Sequence, residues 1–238
     1  MVRTLIVILA FSVSAPASAV TIVGFSRSGR QVLFRDAEGA LQLYRRDGRA
    51  VDGPPTGANL ERRYRYGKPT KAGELRLEGR KLQLKRKGQL VTVWRQDVAE
   101  SCAVAGLGES RLARNRMVLA VVLKQDCDKK EQPLVISLSA VARRLAQQAV
   151  AQARKGKRKQ SALALKQASA LQPRSPLVLY SRARAAALAA DQSTAIRLLK
   201  QLKAMRSAGA RRLLVKAQFD RDFRLIESSA AFKELFRF

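Results

Sequence analysis

The tripeptide Leu165-Lys166-Gln167 returns as Leu199-Lys200-Gln201, 34 residues later. The same offset joins Leu145, Leu179 and Leu213, then Ala149, Ala183 and Ala217, and also Ala170 with Ala204. Each of the three leucines precedes one of these alanines by four places, a spacing that puts both on one face of a helix. From Val141 onward the chain is rich in Ala, Leu, Arg and Lys and poor in glycine, and its apolar period lengthens to helical spacing. Gly156-Lys157 and Ala190-Asp191 stand at corresponding places, 34 residues apart. A third unit is irregular. Phe219-Asp220-Arg221-Asp222-Phe223 interrupts it, with the two aspartates read as turn and capping residues, and Ser229 to Phe236 reads as a terminal helix that caps the stack.

A 34-residue period built from paired helices resembles the tetratricopeptide repeat family over residues 140–238. The large-then-small pairs Leu145/Ala149, Leu179/Ala183 and Leu213/Ala217 match the close contact between paired helices in that family, Gly156-Lys157 and Ala190-Asp191 match the turn between its two helices, and Pro173 matches the closing proline. Ser207 stands where the second unit would have its proline, and Gln152, Ala186 and Asp220 replace the usual first-helix aromatic. The resemblance implies a concave partner-binding groove lined by Arg143, Val150, Arg154, Leu177, Tyr180, Arg184, Leu188 and Arg211. Its arginines suit an acidic or C-terminal peptide segment, because the guanidinium fork matches a carboxylate. Arg184 is expected to be exposed, so that reversing its charge would leave the fold intact.

Residues 20–139 carry a different pattern. Leu75 to Trp94 alternates apolar and polar residues around Glu78-Gly79 and Lys87-Gly88, which predicts a three-stranded antiparallel meander with one apolar face. Val20 to Phe25, Gln31 to Arg35 and Leu41 to Arg45 predict further short strands. Met117 to Leu123 and Leu134 to Leu138 are continuous apolar runs of strand length, expected at the buried centre. Asp52 to Ala72 reads as a long basic loop. The expected fold class is therefore α+β in two domains: an antiparallel β domain over 20–139, then a short tetratricopeptide-like helical stack over 140–238.

The chain opens with Arg3, an apolar run from Leu5 to Val13 and Ala17-Ser18-Ala19, the three parts of a secretory signal. Residues 1–19 are expected to be cleaved, giving a periplasmic or secreted protein with no membrane-spanning segment, since crossing a bilayer takes about 20 apolar residues. In that oxidising setting the only two cysteines, Cys102 and Cys127, are expected to form one disulfide.

Composition narrows the chemistry. There is no histidine, so the common general base and metal ligand is missing, and two cysteines cannot furnish a zinc site. No nucleotide-binding or catalytic motif occurs, and the reading is a binding protein without cofactor, metal or enzymatic role. The formal charge is +29, with 22 basic against 5 acidic residues in 141–238. The densest run, Arg154-Lys155-Gly156-Lys157-Arg158-Lys159, makes Lys155, Lys157, Arg158 and Lys159 a candidate polyanion contact on an edge of the stack. The leading expectation is an exported scaffold that binds another protein or peptide in the envelope. The alternative is a polyanion-binding envelope protein.

Overall fold

The computed structural model describes residues 19–237 apart from 54, 56–59, 72–73, 98–101, 114, 116 and 127–129. Of the leader expected over 1–19, residues 1–18 lie outside the described residues, as does Cys127. β1 (Thr21–Phe25), β2 (Gln31–Arg35) and β3 (Leu41–Arg45) form one antiparallel sheet in chain order. A single helical turn, α1 (Leu60–Arg63), and the short β4 (Lys68–Pro69) follow. β5 (Leu75–Glu78), β6 (Lys81–Arg86) and β7 (Gln89–Arg95) are the expected meander. β8 (Val104–Leu112), β9 (Val118–Gln125) and β10 (Glu131–Ser137) complete a four-stranded sheet in the order β10-β9-β8-β4.

β9 holds these layers together, and its sequence explains how. Every residue from Val118 to Leu123 is buried. Leu119, Val121 and Leu123 enter the core shared with β6, β7 and β8, while Val118, Ala120 and Val122 enter a second core with Ile22, Phe25, Val32 and Phe34. Side chains alternate across a strand, so an unbroken apolar run is what a strand covered on both faces requires. Full burial of each such valine or leucine contributes about 1.5–3 kcal/mol. Gly24 allows the first sheet to lie close: it sits at φ +154°, and a Cβ there would stand 1.8 Å from the Tyr64 carbonyl oxygen.

The sheet runs straight into the helices. β10 ends at Ser137, whose hydroxyl accepts from the Ala140 amide and caps α2 (Leu138–Arg154). Then come α3 (Arg158–Leu171), α4 (Pro176–Leu188), α5 (Gln192–Ala204), α6 (Ala208–Ala217), a 3-10 turn at Arg221–Phe223 and α7 (Ala230–Glu234). Ser175, Asp191, Ser207 and Ser229 cap their helices in the same manner as Ser137.

The 34-residue offset is written into the backbone. The α2–α3 turn has Lys157 N donating to Gln152 O, Gly156 N to Ala153 O and Ser161 N to Lys157 O. The α4–α5 turn has Asp191 N donating to Ala186 O, Ala190 N to Ala187 O and Ala195 N to Asp191 O, the same bonds 34 places on. Both turns pivot on a left-handed residue, Gly156 at φ 70° and Ala190 at φ 61°. Ala149, Ala183 and Ala217 are all buried, as close helix packing demands.

Two boundaries differ from expectation. The helical region starts at Leu138, and Leu138, Val141, Ala142 and Ala146 of α2 share a core with Leu82, Leu84, Val91 and Leu119. The first helix pair is thus built onto the sheets, and the later helices form their own core around Tyr180, Leu199 and Phe223. The long loop expected over 52–72 contains α1 and β4, whose few residues are too short to leave a periodic trace. The α+β class stands as expected.

Candidate functional site

Three elements converge where the third repeat breaks down. Asp220 and Asp222 do act as turn residues: the Asp220 carboxylate accepts from the Asp222 amide at 3.1 Å. They also do more. Asp222 is buried, and its carboxylate takes Arg154 of α2 in a fork, Nε to Oδ1 at 2.9 Å and Nη2 to Oδ2 at 3.2 Å. Arg184 of α4 donates to the same carboxylate from Nε at 2.7 Å and stands 3.1 Å from Asp220 Oδ2. Tyr180, also on α4, donates its hydroxyl to Asp220 Oδ2 at 2.8 Å. Two guanidiniums and a phenol thus close on two carboxylates two residues apart.

The physics of this clamp is that of a buried charge made tolerable by opposite charge and hydrogen bonds. The bond to Asp222 raises the Arg154 pKa further. Burial, then the bond to Asp220, pushes the Tyr180 phenol well above its ordinary value. Arg184 also lies 5.7 Å from the Tyr180 ring centroid, a cation–π distance, and Tyr180 packs on Phe223 with ring centroids 5.9 Å apart.

The residues expected to line the groove separate into three sets. Arg154, Tyr180 and Arg184 come together in the clamp, but Tyr180 is only 1 % exposed and Val150 is buried, so neither presents a contact surface. Leu177 and Leu188 are half-buried, and Arg143 and Arg211 are exposed. The expectation that Arg184 is a free surface charge is corrected. Its side chain is 17 % exposed and ion-paired to two carboxylates, so a glutamate there would face like charge and destabilise the stack.

Outside the clamp the surface opens. Arg154, whose side chain keeps 54 % of its exposure, borders a depression of about 410 Å³ with Arg184, Lys216, Phe219, Asp220 and Arg221. Phe219 is 81 % exposed, the largest fraction among the exposed large apolar residues. Across the α2–α3 turn, Lys155, Lys157, Arg158 and Lys159 are exposed, and their side chains make no hydrogen bond or ion pair among the described residues. Sequence reasoning overlooked Phe219 as a surface residue and Asp222 as an ion-pair centre. A D-x-D flanked by two phenylalanines was the available signal.

In the β half, Cys102 lies just before β8, and no free cysteine occurs among the described residues. Asp126 N donates to Ala103 O, so the strands flanking the two cysteines are still paired one residue from each. Among the described residues no helix is long and apolar enough to cross a membrane.

The geometry defines an α+β protein whose sheets carry a stack of helix pairs, with a cationic surface around an internal carboxylate clamp. The chain matches no family model, no curated protein and no solved structure.

Proposed function

We propose that this chain is an exported, tetratricopeptide-like binding protein whose helical repeats engage an acidic protein or peptide partner in the cell envelope. The observation that carries the reading is Phe219, an exposed aromatic bordered by Arg154, Lys216 and Arg221 in one depression. Aromatic residues and arginines are the types that anchor protein interfaces. The internal clamp supports the preference for acid, because guanidiniums of this stack already hold a pair of carboxylates from the chain itself. The repeat of turn hydrogen bonds at 34 residues supports the family resemblance. Export rests on the leader sequence, and the paired strands beside Cys102 support its disulfide with Cys127.

The test uses the mature protein and crosslinking in its own envelope fraction. Phe219→Ala combined with Lys216→Glu should abolish the crosslinked partner while leaving the thermal melt unchanged. Retention of the partner by that variant would overturn the reading. Intact mass should place the N-terminus at Val20 with no alkylatable thiol.

The four cations at the α2–α3 turn, unpaired among the described residues, favour a second reading, a polyanion-binding envelope protein. Binding to a polyanion such as heparin should weaken steeply with salt, whereas docking on an apolar anchor should weaken less.

A further inference from the structure

On the opposite side of α4 from the clamp lies a cavity of about 360 Å³, within the size range of small-molecule sites. α3 contributes Arg158, Ser161, Ala162 and Leu165, and α4 contributes Arg182, Ala185, Ala186, Leu188 and Ala189. Residues 158, 161, 162 and 165 share a helix face, as do 182, 185, 186 and 189, so each helix presents one arginine followed by small or apolar side chains. Ala153 and Gly156 of α2 and the turn after it, with Thr194 and Leu198 of α5, close the remaining walls.

Two features separate this cavity from a packing gap. Its walls are mostly methyl and methylene groups, which gain nothing from contact with water. Its two guanidiniums, Arg158 and Arg182, have no hydrogen-bond or ion-pair partner among the described residues, unlike Arg154 and Arg184. Arg182 is only partly exposed. Helices joined by a link as short as 172–175 run roughly antiparallel, which sets the two arginines toward opposite ends of the slot.

We propose that this cavity binds a small amphipathic anion, an alkyl chain ending in a carboxylate. The chain lies against Ala162, Leu165, Ala185 and Ala186, and the head group pairs with the Arg182 guanidinium in charge-assisted hydrogen bonds. Apolar walls without the arginines would select a neutral hydrocarbon. Exposed arginines without the walls would hold any anion weakly. The combination discriminates for both properties at once. This site is separate from the partner surface around Phe219 and does not depend on it.

The experiment is calorimetric titration of the mature protein with sodium octanoate, with acetate and 1-octanol as controls. Octanoate should give a saturable one-to-one isotherm, and both controls should bind about tenfold more weakly or worse, a difference of one charge-assisted contact or one buried chain. Arg182→Gln and Ala162→Phe should each reduce octanoate affinity by about tenfold or more. Ala162 is exposed, so its replacement tests occupancy of the slot while leaving the fold in place. Combined replacement of Lys155, Lys157 and Lys159 by Glu should leave octanoate binding within about twofold of the parent. Octanoate binding no better than acetate, binding unaffected by Ala162→Phe, or loss of binding in the triple lysine variant would each overturn the proposal. Phe219→Ala should have no effect, so the cavity and the partner surface can fail independently.

Discussion

Arg154 and Arg184 on one side of the helical stack, and Arg158 and Arg182 on the other, are the same residue type with opposite fates. The first pair is drawn into Asp220 and Asp222 and holds the irregular third unit against α2 and α4. The second pair has no carboxylate within reach among the described residues and remains available. With so few acidic residues in this half, where each one falls decides which cations are structural and which are free. Charge alone does not distinguish them; the position of Asp222 does.

The contrast is broken most directly at Asp222. Asp222→Ala removes the carboxylate that both guanidiniums share and leaves Arg184 with Asp220 alone, so it should destabilise the stack by about 1.5–3 kcal/mol. Urea denaturation measures this, and a loss under about 1 kcal/mol would reduce the clamp to a surface feature. Next in size is Ala183→Leu. Ala183 is wholly buried, and enlarging it should overpack the helix contact at a cost of about 1–3 kcal/mol. A melt unchanged from the parent would mean that the close-packing assignment fails.

Tyr180→Phe should cost about 1 kcal/mol at neutral pH by removing the bond to Asp220. The same variant has a pH signature. The Tyr180 pKa is raised above 10.0 in the folded protein, so its contribution is fully present below pH 10 and is lost as pH rises beyond that. Each such tyrosine steepens alkaline destabilisation by up to about 1.4 kcal/mol per pH unit. Tyr44 and Tyr64 are raised by burial as well, so Tyr180→Phe should make the alkaline slope shallower without abolishing it. The smallest effect belongs to the free edge. Lys157→Glu should change stability by under about 0.5 kcal/mol, and thermal melting checks it.

The repeat was legible because it is local: turn residues, small residues and leucines recur at one offset, and the same offset appears in the turn hydrogen bonds. The meander and the doubly covered strand were legible from alternation and from an unbroken apolar run. β8 was not, because Gly106 and Gly108 interrupt its pattern, and its pairing with β9 shifts register on either side of Leu107. The clamp was hidden for another reason. Asp222 meets Arg154 across 68 positions, and nothing local marks a carboxylate as the partner of an arginine that distant. The resemblance placed Arg154, Tyr180 and Arg184 on one surface, and the structure does bring them together. It brings them to the chain's own aspartates.

A double-mutant cycle between Arg184 and Asp222, read by urea denaturation of Arg184→Gln, Asp222→Asn and the double variant, tests the closed clamp most directly. A charge-assisted buried pair predicts a coupling of about 1.5–3 kcal/mol, with the double variant less damaged than the sum of the single ones. Effects that add to within about 0.5 kcal/mol would contradict the clamp and return Arg184 to the surface as a free groove residue.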